Sequence, residues 1–170
     1  MNVLIVYDTV HGNTEQVAQA MARALEPAAS VRLEKAAGGS RVDAAGVDLL
    51  IVGGPTHRQR MSASLAALLE TAGHRAFQGV RAAAFDTRYR MPAWLSGSAA
   101  RRIARQLKKR GGRLIVPPES FFMERDVPPR GQKRRHELER LEPGELDRAA
   151  RWAVYLAQTF EVSQALDRDL

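Results

Sequence analysis

The chain has 170 residues, 45% of them apolar, which is enough to build the core of a single folded domain. It contains no cysteine, which excludes a disulfide framework, a thiolate nucleophile and a cysteine-held metal or iron–sulfur site. Any redox chemistry would therefore come from a bound organic cofactor. The formal net charge of +7 favours anionic partners, without distinguishing nucleotides, acidic proteins and nucleic acids.

The N-terminal segment predicts a strand, a loop and a helix in succession. Val3 to Tyr7 form an apolar, β-branched run without polar alternation, as expected of a parallel strand buried on both faces. This strand begins almost at the first residue, with no basic segment and long apolar stretch before it, so we expect a soluble cytoplasmic protein. Helical spacing of apolar residues follows at Val17, Ala18, Met21, Ala22 and Leu25, before Glu26-Pro27.

The loop between this strand and this helix has the composition of a phosphate-binding site. The first amides of a helix lack partners within the helix and carry the positive end of its dipole, so an anion is stabilised there. Gly12 allows close approach of the backbone, while Thr9 and Thr14 add hydroxyl donors. Asn or Thr followed by Glu also simply caps helices, and the spacing alone leaves both interpretations open.

The residues Thr9-Val-His-Gly-Asn-Thr14-Glu, directly after Ile-Val-Tyr-Asp, resemble the phosphate loop of the flavodoxin family. The usual form of that loop is a hydroxyl residue, two variable positions and then Gly-Asn-Thr. His11 stands where a typical flavodoxin has another Thr, and an imidazole can still donate a hydrogen bond. The resemblance implies that the phosphate of FMN is bound by Thr9, Val10, His11, Gly12, Asn13 and Thr14.

A second loop follows the apolar strand Val47 to Val52 and has the sequence Gly53-Gly54-Pro55-Thr56-His57. Ligands bind at the carboxyl ends of strands in open α/β sheets, although a plain tight turn would also explain Gly-Gly-Pro. The loop resembles one that contacts the cofactor in many flavodoxins, which implies that Pro55, Thr56 and His57 contact the flavin. Many flavodoxins place a Trp here, and this chain has His57 or Met61 to cover the ring face instead.

The third loop is expected after the strand Gly79 to Phe85. By the same resemblance, residues Thr87, Arg88 and Tyr89 would contact the flavin, with Tyr89 as first choice for stacking on the ring and Trp94 as second. Trp94 is equally consistent with packing under the next helix. Asp8 and Asp86 are candidate catalytic bases, but at strand ends they more plainly serve as turn and cap residues.

A basic helix is predicted from Ser96 or Ser98, as the cap, to about Arg110. Its basic face is either a solvated surface or a docking surface for an acidic redox partner. Nucleic-acid binding is disfavoured, because no recognised motif and no interleaved aromatic residue accompany the charges. The face consists of Arg101, Arg102, Arg105, Lys108, Lys109 and Arg110.

The C-terminal third contains a broken strand, an insertion and a long helix. Leu114 to Val116 open the fifth strand, and Pro117-Pro118 interrupt it. Residues 124 to 142 are charged and are expected to form an exposed insertion. An amphipathic helix is predicted from Pro143, and the tail after Val162 is expected to fray.

Five strands alternating with helices predict a single domain, a doubly wound parallel sheet with the flavodoxin strand order 2-1-3-4-5, in a three-layer sandwich. The Gly-x-Gly-x-x-Gly fingerprint is absent after the first strand, as is the Lys-bearing P-loop, which favours a mononucleotide flavin.

The resemblance therefore implies a protein that binds FMN and acts as an electron carrier or as an oxidoreductase of the quinone or porphyrinogen type. Positive charge near the flavin stabilises its anionic reduced form. Arginines at positions 58, 60, 88 and 90 thus predict a less negative reduction potential than acidic flavodoxins have. The alternative is a binding or regulatory module that keeps the fold and has lost FMN.

Overall fold

A β-sheet whose described strands all pair in parallel forms the centre of the fold. The computed structural model describes residues 1–37, 41–56, 60–92, 97–124 and 140–168. Within these ranges the strand segments are β1 (Asn2–Tyr7), β2 (Ser30–Lys35), β3 (Leu49–Pro55), β4 (Arg81–Tyr89), β5 (Arg113–Leu114) and β6 (Glu119–Met123). The helices are α1 (Asn13–Leu25), α2 (Ala63–Thr71), α3 (Ala99–Lys109) and α4 (Glu145–Arg168).

The strand order is β2-β1-β3-β4-β5, which confirms the predicted topology. The fifth position is divided between two segments on the same neighbour: β5 pairs with Arg81 and Ala82, and β6 pairs with Phe85 to Tyr89. Pro117 and Pro118 lie between the segments. Because proline has no amide proton to donate, a continuous ladder cannot pass through them.

Helices cover both faces of the sheet, as the three-layer prediction requires. Along β1, Val3 and Ile5 pack into the core cluster formed with α1 and α4, whereas Leu4 and Val6 pack into the cluster formed with α2 and α3. Every strand residue from Val3 to Tyr7 is therefore buried, which explains the unbroken apolar run in the sequence.

The closing helix differs from its prediction at both ends. It begins at Glu145, because Pro143 and Gly144 form a turn in which Gly144 has a φ of 83°. The expectation of a frayed tail after Val162 is wrong, since the helix continues to Arg168. Arg81 and Arg113 each donate a 2.7 Å hydrogen bond to the carboxylate of Asp167 and so fasten the last turns to the sheet.

The expected insertion leaves and rejoins the fold at neighbouring points. The amide of Glu124 donates to the carbonyl of Arg140 at 2.8 Å, and the amide of Glu142 donates to the carbonyl of Phe122 at 2.9 Å. Residues 125–139 themselves lie outside the described part of the chain, so the prediction of an exposed segment stays a prediction. In the described ranges, no helix has the length and apolar character needed to cross a membrane.

Candidate functional site

Three chain segments meet at the carboxyl edge of the sheet. The hydroxyl of Thr14, at the start of α1, lies 2.8 Å from the hydroxyl of Thr87 in β4. The amide of Thr56, directly after β3, donates to the carbonyl of Thr87 at 2.9 Å. The structure therefore brings together members of all three predicted groups of site residues.

The first loop is held by its own polar atoms. The amide of Thr9 donates to the Asp8 carboxylate at 2.8 Å, and the amide of Gly12 donates to the Thr9 hydroxyl at 2.9 Å. Since that hydroxyl accepts a hydrogen bond here, its own proton is still available for donation. This arrangement turns the chain from β1 into α1 within a few residues.

The start of α1 carries no side-chain cap. The N-cap residue is Gly12, with a φ of 83°; it has no side chain and so makes no side-chain cap hydrogen bond, and its own amide donates to the Thr9 hydroxyl. The capping interpretation of Asn13, Thr14 and Glu15 is therefore not what the structure shows; Glu15 instead accepts a 3.0 Å hydrogen bond from the Tyr7 hydroxyl. Burial and the Glu15 interaction both raise the pKa of Tyr7. An uncapped helix start is suited to an anion.

The loop has an exposed rim and a buried floor. Val10 is 58% exposed and His11 is also exposed, whereas Asn13 is buried and Thr14 is only 1% exposed. The side-chain amide of Asn13 contacts the sulfur of Met123 at 3.5 Å, which links the loop to the end of β6.

Asp86 joins the second segment to α3. Its carboxylate oxygen Oδ2 accepts hydrogen bonds from the hydroxyl of Thr56 at 2.9 Å, the hydroxyl of Ser98 at 2.8 Å and the amide of Ala100 at 3.0 Å. The amide of Ala99 donates to the Thr56 hydroxyl at 2.8 Å. Ser98 is the N-cap of α3, as one of the two predicted caps. Asp86 thus caps the start of α3, as the sequence suggested, although it lies within β4 and not at the end of the strand.

The other oxygen of Asp86, Oδ1, is buried without a hydrogen-bond partner in the described structure. The guanidinium of Arg88 lies close to it, with Nε 3.8 Å away. That guanidinium is itself held by the hydroxyl of Ser120 at 3.0 Å and the carbonyl of Met91 at 2.7 Å. Asp86 is therefore a fully buried carboxylate beside the site.

The expectation that Thr87, Arg88 and Tyr89 form a loop is wrong, because all three belong to β4. They pair in register with Phe121, Phe122 and Met123 of β6, so the second half of the broken strand extends the ladder. Thr87 is buried, while Arg88 and Tyr89 are half-buried. The side chains consequently stand on a strand rather than on a loop.

An arginine cluster around Phe122 was not found by sequence reasoning. The Arg90 guanidinium lies 4.1 Å from the centre of the Phe122 ring and donates to the Glu142 carboxylate at 2.7 Å. Arg148 lies 5.6 Å from the same ring and donates to Glu145 at 2.6 Å. The sequence offered only a weak signal for this cluster, an adjacent pair of phenylalanines in an arginine-rich chain. Which arginines contact Phe122 depends on the tertiary fold.

Glu145 is the buried acid of this cluster. Burial by itself raises the pKa of its carboxyl, but hydrogen bonds from the Arg148 guanidinium and the Phe122 amide outweigh burial and hold the pKa below its usual range. The Phe122 amide donates at 2.7 Å. The cluster thereby fixes the start of α4 against β6.

Several predicted site residues are not placed. His57, Arg58 and Trp94 lie outside the described residues. Met61 is half-buried and packs against the core cluster of α2 and α3. The described residues include no group of three or more His, Asp or Glu side chains suited to a metal ion.

The fold and loop geometry define a doubly wound α/β protein in which a helix without a side-chain N-cap begins at the carboxyl edge of the sheet. Residues 4–92 match the family model described as "Flavodoxin domain". Since this match spans just over half of the chain, the protein belongs to the flavodoxin family. No curated protein matches the chain significantly.

Solved structures of flavodoxins resemble nearly the whole chain. Oxidised flavodoxin 1 from Bacillus cereus is 13% identical with a TM-score of 0.72, and the match covers 94% of this chain and 97% of that one. A WrbA-like flavodoxin from Agrobacterium tumefaciens is 18% identical with a TM-score of 0.68, covering 96% and 98%. Rubredoxin oxygen:oxidoreductase from Desulfovibrio gigas has 18% identity and a TM-score of 0.68, covering 96% of this chain but 37% of that longer one. At these identities the likeness establishes the fold.

Proposed function

We propose that this protein binds FMN noncovalently at the carboxyl edge of its sheet and transfers electrons, with a cytoplasmic redox protein as partner. The observation that carries the proposal is the uncapped start of α1 at Gly12, directly beside the buried hydroxyl pair of Thr14 and Thr87. Family membership supports the same conclusion.

The donor set fits a phosphate. A Cβ atom added at Gly12 would meet no atom of the described residues within 4 Å, so these residues leave room for an anion to approach the backbone. The positive end of the dipole of α1, a helix of 13 residues, lies at this loop. In the proposal the phosphate is held by the amides of residues 10 to 14, with Thr9, Asn13 and Thr14 assisting.

The flavin ring is proposed to lie against two adjacent, hydrogen-bonded chain segments, one with Pro55, Thr56 and His57 and the other with Thr87, Arg88 and Tyr89. Thr56 is held from two directions by Asp86 and by the amide of Ala99, so the second segment is fixed before any ligand arrives. A prearranged site loses less conformational entropy on binding. Tyr89 remains the proposed stacking residue.

FMN when bound supplies reversible transfer of one or two electrons. The protein's contribution is the charge around it. Arg90 is paired with Glu142, and the guanidinium of Arg88 lies near Asp86, so two of the four arginines have acidic neighbours. We retain the proposal that the potential is less negative than in acidic flavodoxins, and a redox titration that gives a value as negative as theirs would refute it.

Titration of the purified protein with FMN and with riboflavin, followed by quenching of flavin fluorescence, tests the phosphate site. Riboflavin has the same ring and lacks the phosphate. We expect FMN to bind at least about 100-fold more tightly, because several charge-assisted hydrogen bonds are lost with the phosphate. Equal affinities would contradict the phosphate site. Binding of neither flavin would contradict the whole proposal and favour a module that has lost its cofactor.

A further inference from the structure

One side of α3 presents five cationic side chains to solvent. Arg101, Arg105 and Lys108 follow one another at helical spacing along a single stripe, with Arg102 and Lys109 beside it. None of the five forms an ion pair with another described residue. In contrast to the sequence expectation, Arg110 does not belong to this face: it is buried and donates to the carbonyl of Ala72 at 3.2 Å.

The stripe borders a groove with an apolar floor. The groove has a volume of about 420 Å³ and runs between α3 and the broken fifth strand. We call it the basic groove; it is lined by Arg101, Ala104, Arg105, Lys108, Leu114 and Pro118.

The break in the fifth strand shapes this groove. Between β5 and β6 the chain leaves the ladder at Pro117 and Pro118, which have no amide protons with which another strand could pair. The groove is therefore suited to side chains of a folded partner rather than to an added strand.

The basic groove begins next to the proposed flavin site. The first residues of α3, Ala99 and Ala100, donate to Thr56 and Asp86 of that site. From Arg101 to Lys108 the stripe extends roughly 10 Å along the helix, at a rise of about 1.5 Å per residue. Leu114 of the groove pairs with Ala82 at the opposite end of β4, so the stripe runs away from the site and a partner seated on it would reach the site at the Arg101 end.

We propose that the basic groove docks an acidic redox protein, whose contact surface has carboxylates surrounding an apolar side chain. The three cations match the carboxylates, and the floor of Ala104, Leu114 and Pro118 matches the apolar side chain. A nucleic acid fits less well, because the described lining of the groove includes no aromatic side chain on which a base could stack. The inference rests on the proposed function, because the docked partner would exchange electrons with FMN bound at the proposed site.

Binding of a fluorescently labelled, oxidised plant-type ferredoxin, an acidic one-electron carrier, tests the proposal by anisotropy. The groove variant carries three substitutions together: Arg101→Glu, Arg105→Glu and Lys108→Glu. The matched control is Lys35→Glu, Arg41→Glu, Arg151→Glu, which makes the same change in net charge at exposed positions elsewhere. FMN retention is measured separately for every sample, so a failure to hold FMN is distinguished from a failure to dock.

We expect the dissociation constant to rise about tenfold between 50 and 300 mM NaCl, because salt screens the charges. At low salt, the dissociation constant of the groove variant should be at least about tenfold higher than that of the unaltered protein. The dissociation constant of the control variant should be less than about threefold higher. Equal effects of the two variants would overturn the proposal, since net charge alone would then explain binding. Tighter binding of a 20-nucleotide single-stranded DNA, or self-association that the groove variant abolishes, would also overturn it.

Discussion

The hydroxyl oxygens of Thr14 and Thr87 lie 2.8 Å apart, although one belongs to the first turn of α1 and the other to the end of β4. Both side chains are almost fully buried. One hydroxyl donates its proton to the other. The donating oxygen can still accept a hydrogen bond, and the accepting hydroxyl can still donate its own proton. The pair thereby joins the proposed phosphate loop to the strand that faces the proposed ring position.

Thr14→Val should weaken FMN binding and lower the free energy of unfolding. Valine keeps the shape but removes a hydroxyl that bonds Thr87 and is proposed to bond the phosphate, so we expect at least about tenfold weaker FMN binding and a loss of roughly 1–2 kcal/mol in stability. Flavin fluorescence and urea denaturation measure the two effects. Thr71→Val is the control, because its hydroxyl bonds the Leu68 carbonyl at the far end of α2. FMN affinity unchanged in Thr14→Val would contradict the proposed contact.

Gly12→Ala tests the backbone of the loop against a matched glycine. Gly12 and Gly144 both have a φ of 83°, and at both positions an added Cβ meets no atom within 4 Å in the part of the chain that the structure describes. Each substitution to alanine should therefore lower the free energy of unfolding by a similar amount, about 1–2 kcal/mol. Only Gly12→Ala should weaken FMN binding, because only Gly12 faces the proposed phosphate. Equal FMN affinities in the two variants would count against the site.

Glu145 should make stability depend on pH in the acid range. Its folded-state pKa is lowered, so its stabilising contribution is fully present above the unfolded-state value of about 4.3 and is lost as the pH falls through the folded-state pKa. Glu145→Gln should lower the free energy of unfolding by about 2 kcal/mol at pH 7, and the difference from the unaltered protein should shrink below about pH 4.

Urea denaturation of both proteins from pH 3 to pH 7 measures this difference. Asp147→Asn, at an exposed position in the same helical turn, is the control for simple loss of a carboxylate. If the difference in the free energy of unfolding stays constant across this pH range, the charge of Glu145 does not stabilise the contact between the start of α4 and β6.

Asp167 should hold the last turns of α4 in place. Its carboxylate receives hydrogen bonds from Arg81 and Arg113, and the Ser163 hydroxyl receives a further one from Arg81 at 3.1 Å. In Asp167→Ala we expect faster hydrogen–deuterium exchange of the amides after Val162, with the rest of α4 unchanged. Glu161→Ala, exposed on the same helix, should leave exchange there unaltered. Equal exchange in both variants would restore the expectation of a frayed tail.

The order of the strands and the break in the fifth strand were predictable because they depend on local patterns. The apolar run of β1 gives a doubly buried strand, and Glu26-Pro27 mark the end of α1 through proline's missing amide. The proline pair at 117 and 118 likewise indicated the break in the fifth strand. Each of these features follows from a few neighbouring residues.

The parts that were not predicted depend on contacts between distant residues. The extension of β4 through Tyr89 requires β6 as its partner, and the persistence of α4 to Arg168 requires Arg81 and Arg113. Arg110 looked like one more surface cation, yet its guanidinium reaches the carbonyl of Ala72. No local sequence pattern contains these pairings.

The visible absorption spectrum of the purified protein, recorded after FMN is added and free flavin is removed by desalting, tests the central claim most directly. The account predicts a yellow protein that keeps flavin bands near one equivalent of FMN per chain, and Gly144→Ala should keep them whereas Gly12→Ala should lose them. A colourless protein that retains no FMN would contradict the account and leave only the fold in common with flavodoxins.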